Sequence, residues 1–167
     1  MTNSDKNFVT LETNLEDWFI GAKKVVVVGI GNPFRRDDSV GLKIVRNLKD
    51  TVSNHIYLIE AETIPESYMQ QITDFKPSHV LLIDAGIINK EAGIAALAEP
   101  TRLVRKISIS THTLPLRIFC DYITQTTKAK IALLIIQPKD TSFGEGLTPE
   151  LIEAAKRLTT LLKERLP

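Results

Sequence analysis

A chain of 167 residues, 43% hydrophobic and 25% charged with a formal net charge of +1, has the size and balance of one soluble domain with a full core. There is no basic excess for nucleic acid and no apolar run near the ~20 residues of a membrane span, and the single Cys120 excludes an internal disulfide. The first residues lack the basic-then-apolar layout of a signal peptide, so the expected location is cytoplasmic.

Residues 1–9 are polar and read as loose. Leu11, Leu15, Trp18 and Phe19 then recur at helical spacing, with Gly21 as a stop. The first strand is expected over 23–30 and the second over 55–60, and Ile64-Pro65-Glu66 opens a helix through Phe75. Residues 79–84 form an apolar strand that ends in Asp84, and a weaker strand follows over 93–98. Lys106 to Ser110 alternates like a short strand leading to His112, and Pro115 is suited to the first turn of a helix with Leu116, Phe119 and Ile123 inward. The last core strand spans 130–136 and stops at Gln137-Pro138. Thr148-Pro149-Glu150 then reads as the N-cap of a helix with Leu151, Ala155, Leu158 and Leu162 on one face. Strands alternating with helices predict an α/β fold, a three-layer αβα sandwich around a mainly parallel twisted sheet. No repeat or linker divides residues 1–167, read as an extension over 1–22 and a core over 23–163.

The opening strand–loop–helix has no third glycine and instead places two carboxylates, Asp37 and Asp38, at the helix start. Such a site favours oxygen ligands at the strand's carboxyl end. In open α/β sheets the functional crevice lies outside those ends, so Asp38, Asp84 and His112 can meet at one edge. Two carboxylates and an imidazole suit a borderline divalent metal such as nickel or zinc, with coordination positions left open. Each residue also has an ordinary explanation: Asp38 as a helix N-cap, Asp84 as support for its loop, His112 as an exposed polar residue. His55 and His79, at strand starts, read as surface residues, Cys120 as core, and Lys43, Arg46 and Lys49 as a solvated helix face. Glu60 and Glu62 are candidates to line the crevice. A nucleotide-binding reading rests on Gly29-Ile-Gly31, but Phe34 replaces the third glycine and both aspartates would repel a pyrophosphate.

Gly29-Ile-Gly-Asn-Pro-Phe-Arg-Arg-Asp-Asp-Ser-Val-Gly41 resembles the motif of the hydrogenase maturation endopeptidases. Thr63-Ile-Pro-Glu66, Leu81-Leu-Ile-Asp-Ala85, Ser110-Thr-His-Thr-Leu-Pro-Leu116 and Gln137-Pro138 agree with it in order, and together are similar to the branch serving the formate hydrogenlyase hydrogenase. The resemblance covers roughly residues 23 to 163 and implies a protease-like αβα core. It implies an endopeptidase that removes the C-terminal extension of a [NiFe] hydrogenase large-subunit precursor after nickel insertion. The implied metal-contacting residues are Asp38, Asp84 and His112, with Asp38 also the catalytic candidate. Nickel is expected to arrive bound to the precursor's thiolates and not to be held stably by the free chain, which is expected to act as a monomer. Where the family often has Asp-Gly-Gly, this chain has Glu60-Ala61-Glu62. The alternatives are a non-proteolytic module that checks a metal-loaded partner, or an α/β nucleotide-binding enzyme.

Overall fold

A computed structural model gives the structure, which describes residues 1–98 and 113–167. Its elements are α1 (Asn3–Trp18), β1 (Val25–Ile30), α2 (Val40–Leu48), β2 (Ile56–Glu62), α3 (Met69–Phe75), β3 (His79–Ala85), β4 (Ala95–Ala98), α4 (Thr113–Thr127), β5 (Lys130–Ile136) and α5 (Pro149–Arg165). Short 3-10 turns, Arg36–Ser39 and Pro65–Tyr68, lead into α2 and α3. β1 and β3 are buried along their whole length, the pattern of central strands covered on both faces.

The five strands lie in the order β2-β1-β3-β5-β4. β1 pairs in parallel with β2 and β3, and β3 with β5, while β4 runs antiparallel along β5. Alternate side chains divide the core. Val25, Val27, Leu81, Ile83 and Leu134 pack under α1, α2 and α5. Val26, Val28, Leu82, Leu133 and Ile135 pack against α3 and α4, where Leu116, Phe119 and Ile123 are fully buried. This is the αβα sandwich that the alternation of elements predicts. Cys120 belongs to the second cluster, and burial, with a smaller push from Asp121, raises its thiol to about 12. Among the described residues, no helix is long and apolar enough to cross a membrane.

Two expectations are corrected at the amino-terminal end. Residues 3–9 are not loose but form the first turns of α1. The Thr2 hydroxyl accepts from the Asp5 N–H, and the Asp5 carboxylate accepts from the Thr2 N–H at 2.9 Å, a capping box that satisfies orphan donors at the helix start. Phe8 then packs against the core with the Arg157 guanidinium 4.1 Å from its ring centre. His79 is likewise not a surface residue. It is 3% exposed, its Nε2–H donates to the Trp18 carbonyl at 3.0 Å, and its ring meets the Trp18 indole edge-on at 4.9 Å. α1 therefore covers the amino end of β3, and a strand-start histidine becomes part of the core.

Burial holds the His79 pKa below 6.5; the hydrogen bond to Trp18 opposes this without cancelling it, and the Lys130 charge adds to it. The unfolded chain thus takes up this proton first, so the stability carried by neutral His79 is intact above about pH 6.5 and lost as pH falls from there toward the folded-state value. Urea unfolding midpoints followed from neutral to mildly acidic pH should fall, and His79→Gln should make that fall shallower.

Candidate active site at the carboxyl edge of the sheet

From β1 the chain crosses to β2 on one side and then returns to β3 on the other, so the carboxyl ends of β1 and β3 flank a topological switch point. Asp38 follows β1 and Asp84 is the penultimate residue of β3, and the two are 4% and 0% exposed. Three glycines seat the turn that carries Asp38, and the start of α2, on the ends of these strands. A Cβ on Gly41 would lie 2.2 Å from the Ile83 carbonyl oxygen, and one on Gly29 would lie 2.5 Å from that of Gly41. A Cβ on Gly31 would lie 2.0 Å from the Asp38 carbonyl oxygen. Backbone therefore rests directly on backbone, and the start of α2 is seated against the ends of β1 and β3 with no side chain between.

Asp38 is not a helix N-cap. It lies inside the Arg36–Ser39 turn; the cap position of α2 is Ser39, which makes no side-chain capping bond. The Asp38 carboxylate instead accepts from the Asn32 N–H at 2.8 Å, six residues back, holding the loop that leaves β1.

Asp37 does different work, which the sequence reading missed. Its fully buried carboxylate accepts from the N–H groups of Lys139, Asp140 and Thr148 at 2.9, 3.0 and 2.8 Å, and from the Thr148 hydroxyl at 2.9–3.0 Å. Thr148 does stand at the N-cap position of α5, but its hydroxyl turns to Asp37 in place of its own helix. Asp37 is thus spent on structure: it ties the 139–148 loop to the turn that carries Asp38. The one available signal was Thr148 itself, a donor needing an anionic partner.

Gln137, read in sequence as a strand stop and as part of the resemblance, braces the loop beyond Asp84. Its Oε1 accepts from the Ile88 N–H at 2.8 Å, its backbone N–H donates to the Ile94 carbonyl, and its carbonyl accepts from the Gly93 N–H. Glu60 is corrected. Its carboxylate is held at 2.7 Å by Arg46 and 2.6 Å by Lys49, so two of the three cations expected on a merely solvated face are spent on it. Burial alone would raise its pKa, but the hydrogen bonds and charges of Lys49 and Arg46 outweigh that and lower it. Paired in this way, Glu60 adds no free negative charge to the crevice. Glu62 is exposed, with φ +52°, a left-handed conformation that favours glycine.

His112 and the expected strand at Lys106 to Ser110 lie outside the described residues. α4 begins at Thr113, ends three residues before the amino end of β5, and packs on the Pro65–Tyr68 turn, so its first turn points toward the carboxyl edge. Among the described residues, no three His, Cys, Asp or Glu side chains are grouped to hold a metal ion.

Comparison with known proteins places this arrangement in context. A family model described as hydrogenase maturation protease matches residues 42–164. A Methanocaldococcus jannaschii protein that bears the name hydrogenase maturation protease is 33% identical over 162 residues, covering 86% of this chain and 95% of its own. The crystal structure of a [NiFe] hydrogenase maturation protease from Thermococcus kodakarensis superposes with a TM-score of 0.84 at 36% identity, covering 92% of this chain and 98% of that one. The Escherichia coli hydrogenase 3 maturation protease is 21% identical over 131 residues, 78% of this chain and 83% of its own.

The contrast between the two aspartates is measurable. Asp37→Asn replaces an all-acceptor carboxylate with an amide that turns donors toward backbone donors, and should cost about 3 kcal/mol in urea unfolding. Asp38→Asn keeps an amide oxygen that can still accept from the Asn32 N–H, and should cost less, about 1 kcal/mol.

Proposed function

The chain belongs to the hydrogenase maturation protease family, and we propose that it is an endopeptidase that removes the C-terminal extension of a [NiFe] hydrogenase large-subunit precursor once nickel is in place. The observation that carries this reading is the pair of buried carboxylates, Asp38 and Asp84, delivered by different strands to one switch point. A crevice of that kind suits recognition of a cation already seated in a partner. His112, one residue before α4, supplies the nitrogen donor of the set.

In this reading nickel is part of the substrate. The precursor's thiolates hold it, and Asp38, Asp84 and His112 complete its coordination with two oxygens and one nitrogen. Binding then depends on the metal, which makes loading the licence for cleavage. Asp38 is the general base: its carboxylate takes the proton of the attacking water. The Asn32 N–H fixes one Asp38 oxygen, so the carboxylate has a single orientation when substrate arrives. Burial of both carboxylates keeps bulk water from competing for the ion. The site of action is the cytoplasm, and the acting species is a monomer.

The test is mass spectrometry of nickel-loaded and nickel-free large-subunit precursor after incubation with the chain. A shortened product is expected in the loaded sample alone. Association without shortening would instead favour a non-proteolytic checkpoint. Asp38→Asn and His112→Ala should both fold and both abolish processing. Full cleavage by Asp38→Asn would remove the general-base assignment, and equal cleavage of nickel-free precursor would discard the metal licence.

A further inference from the structure

Large apolar side chains exposed on the described surface are unevenly distributed about the sheet. Four of them, Phe34, Ile64, Ile87 and Phe143, lie one on each of four loops at the carboxyl edge. The loops at the amino edge carry Ile20 alone. Single exposed apolar residues are ordinary, but several gathered around one crevice mark a contact surface.

Phe34 and Phe143 stand out within that group, at 54% and 84% exposed. Their loops are laced together. The Gly144 N–H donates to the Phe34 carbonyl at 2.8 Å, the Arg36 N–H donates to the Gly144 carbonyl at 3.0 Å, and the Arg35 Nε–H donates to the Thr141 carbonyl at 3.0 Å. Asp37 fixes both ends of the second loop through Lys139, Asp140 and Thr148. A Cβ on Gly144 would meet the Arg36 guanidinium at 2.8 Å, so the two segments are in close contact. The exposure of Phe143 is therefore not the result of a slack loop. The backbone is held by hydrogen bonds on both sides of an aromatic ring that it leaves in water. Phe34 lies four residues before Asp38 in the same loop, so the laced pair of loops flanks the turn that carries Asp38.

We propose that Phe34 and Phe143 form an apolar subsite that receives an aliphatic or aromatic side chain of the precursor polypeptide next to the bond to be cut. This rests on the processing function proposed above. The occupant follows from position: the patch borders the crevice of Asp38 and Asp84, where a bound precursor must pass. A second copy of the chain seated there would close that crevice. Preformed exposed rings lose little freedom on contact, so their burial goes directly into affinity.

The experiment measures KM and kcat of the full chain on nickel-loaded precursor, with melting temperature alongside. Truncation of both rings in Phe34→Ala/Phe143→Ala should raise KM roughly tenfold to a hundredfold at nearly constant kcat, the range of interface aromatics. Its melting temperature should change by no more than a degree or so, because both residues are more than half exposed. Phe143→Leu should recover much of the lost affinity, and Ile20→Ala, at the opposite edge, should match wild type. An unchanged KM in the double variant overturns the proposal while leaving the processing function intact. So does a KM rise accompanied by a fall in melting temperature, which would give the rings a structural role. A concentration-dependent dimer of the wild-type chain, abolished in the double variant, assigns the patch to self-association and also overturns it. If wild type binds precursor without cutting it, the processing function fails, and the dissociation constants of the same variants decide the subsite.

Discussion

Direct contact between the backbone of α2 and the backbones of β1 and β3 is the constraint on which the site depends. Gly29, Gly31 and Gly41 each occupy a place where a Cβ would fall 2.0–2.5 Å from a carbonyl oxygen. Removing three side chains from the helix–sheet interface lets the turn before α2 descend onto the strand ends. That descent carries Asp38 to the level of Ile83 and Asp84. Any side chain in these positions would lift the turn that carries Asp38 away from the end of β3. The hydrophobic core on either side supplies the driving force, but the glycines set the distance.

Two neighbouring aspartates illustrate how local geometry divides labour between identical side chains. Asp37 turns inward and is surrounded by donors from the 139–148 loop and Thr148, which accounts for a charge buried at 0% exposure. Asp38, next in the chain, faces the strand ends and keeps its bond to Asn32. The tight 3-10 turn makes this divergence possible, since successive residues there point in directions about 120° apart. A structural charge and the candidate for the functional one are thus adjacent in sequence, and the first ties the 139–148 loop to the turn that carries the second.

The far end of the sheet is organised by other means. α1 contributes Leu11, Leu15 and Trp18 to the core and lays the Trp18 carbonyl on the His79 ring. Arg165 on α5 reaches Glu12 and Glu16 on α1 at 2.7 Å each, partly exposed pairs that align the helices more than they stabilise them. The amino-terminal helix is therefore integral to one face of the sandwich, and the edge that carries the candidate chemistry is left clear of it.

Periodicity alone determined most of the architecture. The buried β-branched runs, the alternation of strand and helix, and the inward faces of α4 and α5 were all legible, because burial on one or both faces writes itself directly into residue order. So was the placement of Asp84 at the end of β3 and of Asp38 in the turn that leads from β1 into α2, since parallel strands put all their carboxyl ends on one edge. What sequence could not decide is where a side chain finds its partner. Asp37, Thr148 and Gln137 owe their roles to donors and acceptors about 50 to 110 positions away. Glu60 became a paired charge because α2 lies over β2, and His79 became core because α1 folds back across 61 residues. A pattern along the chain reports which face is buried, whereas hydrogen bonds and ion pairs depend on distances that exist only after the layers have packed.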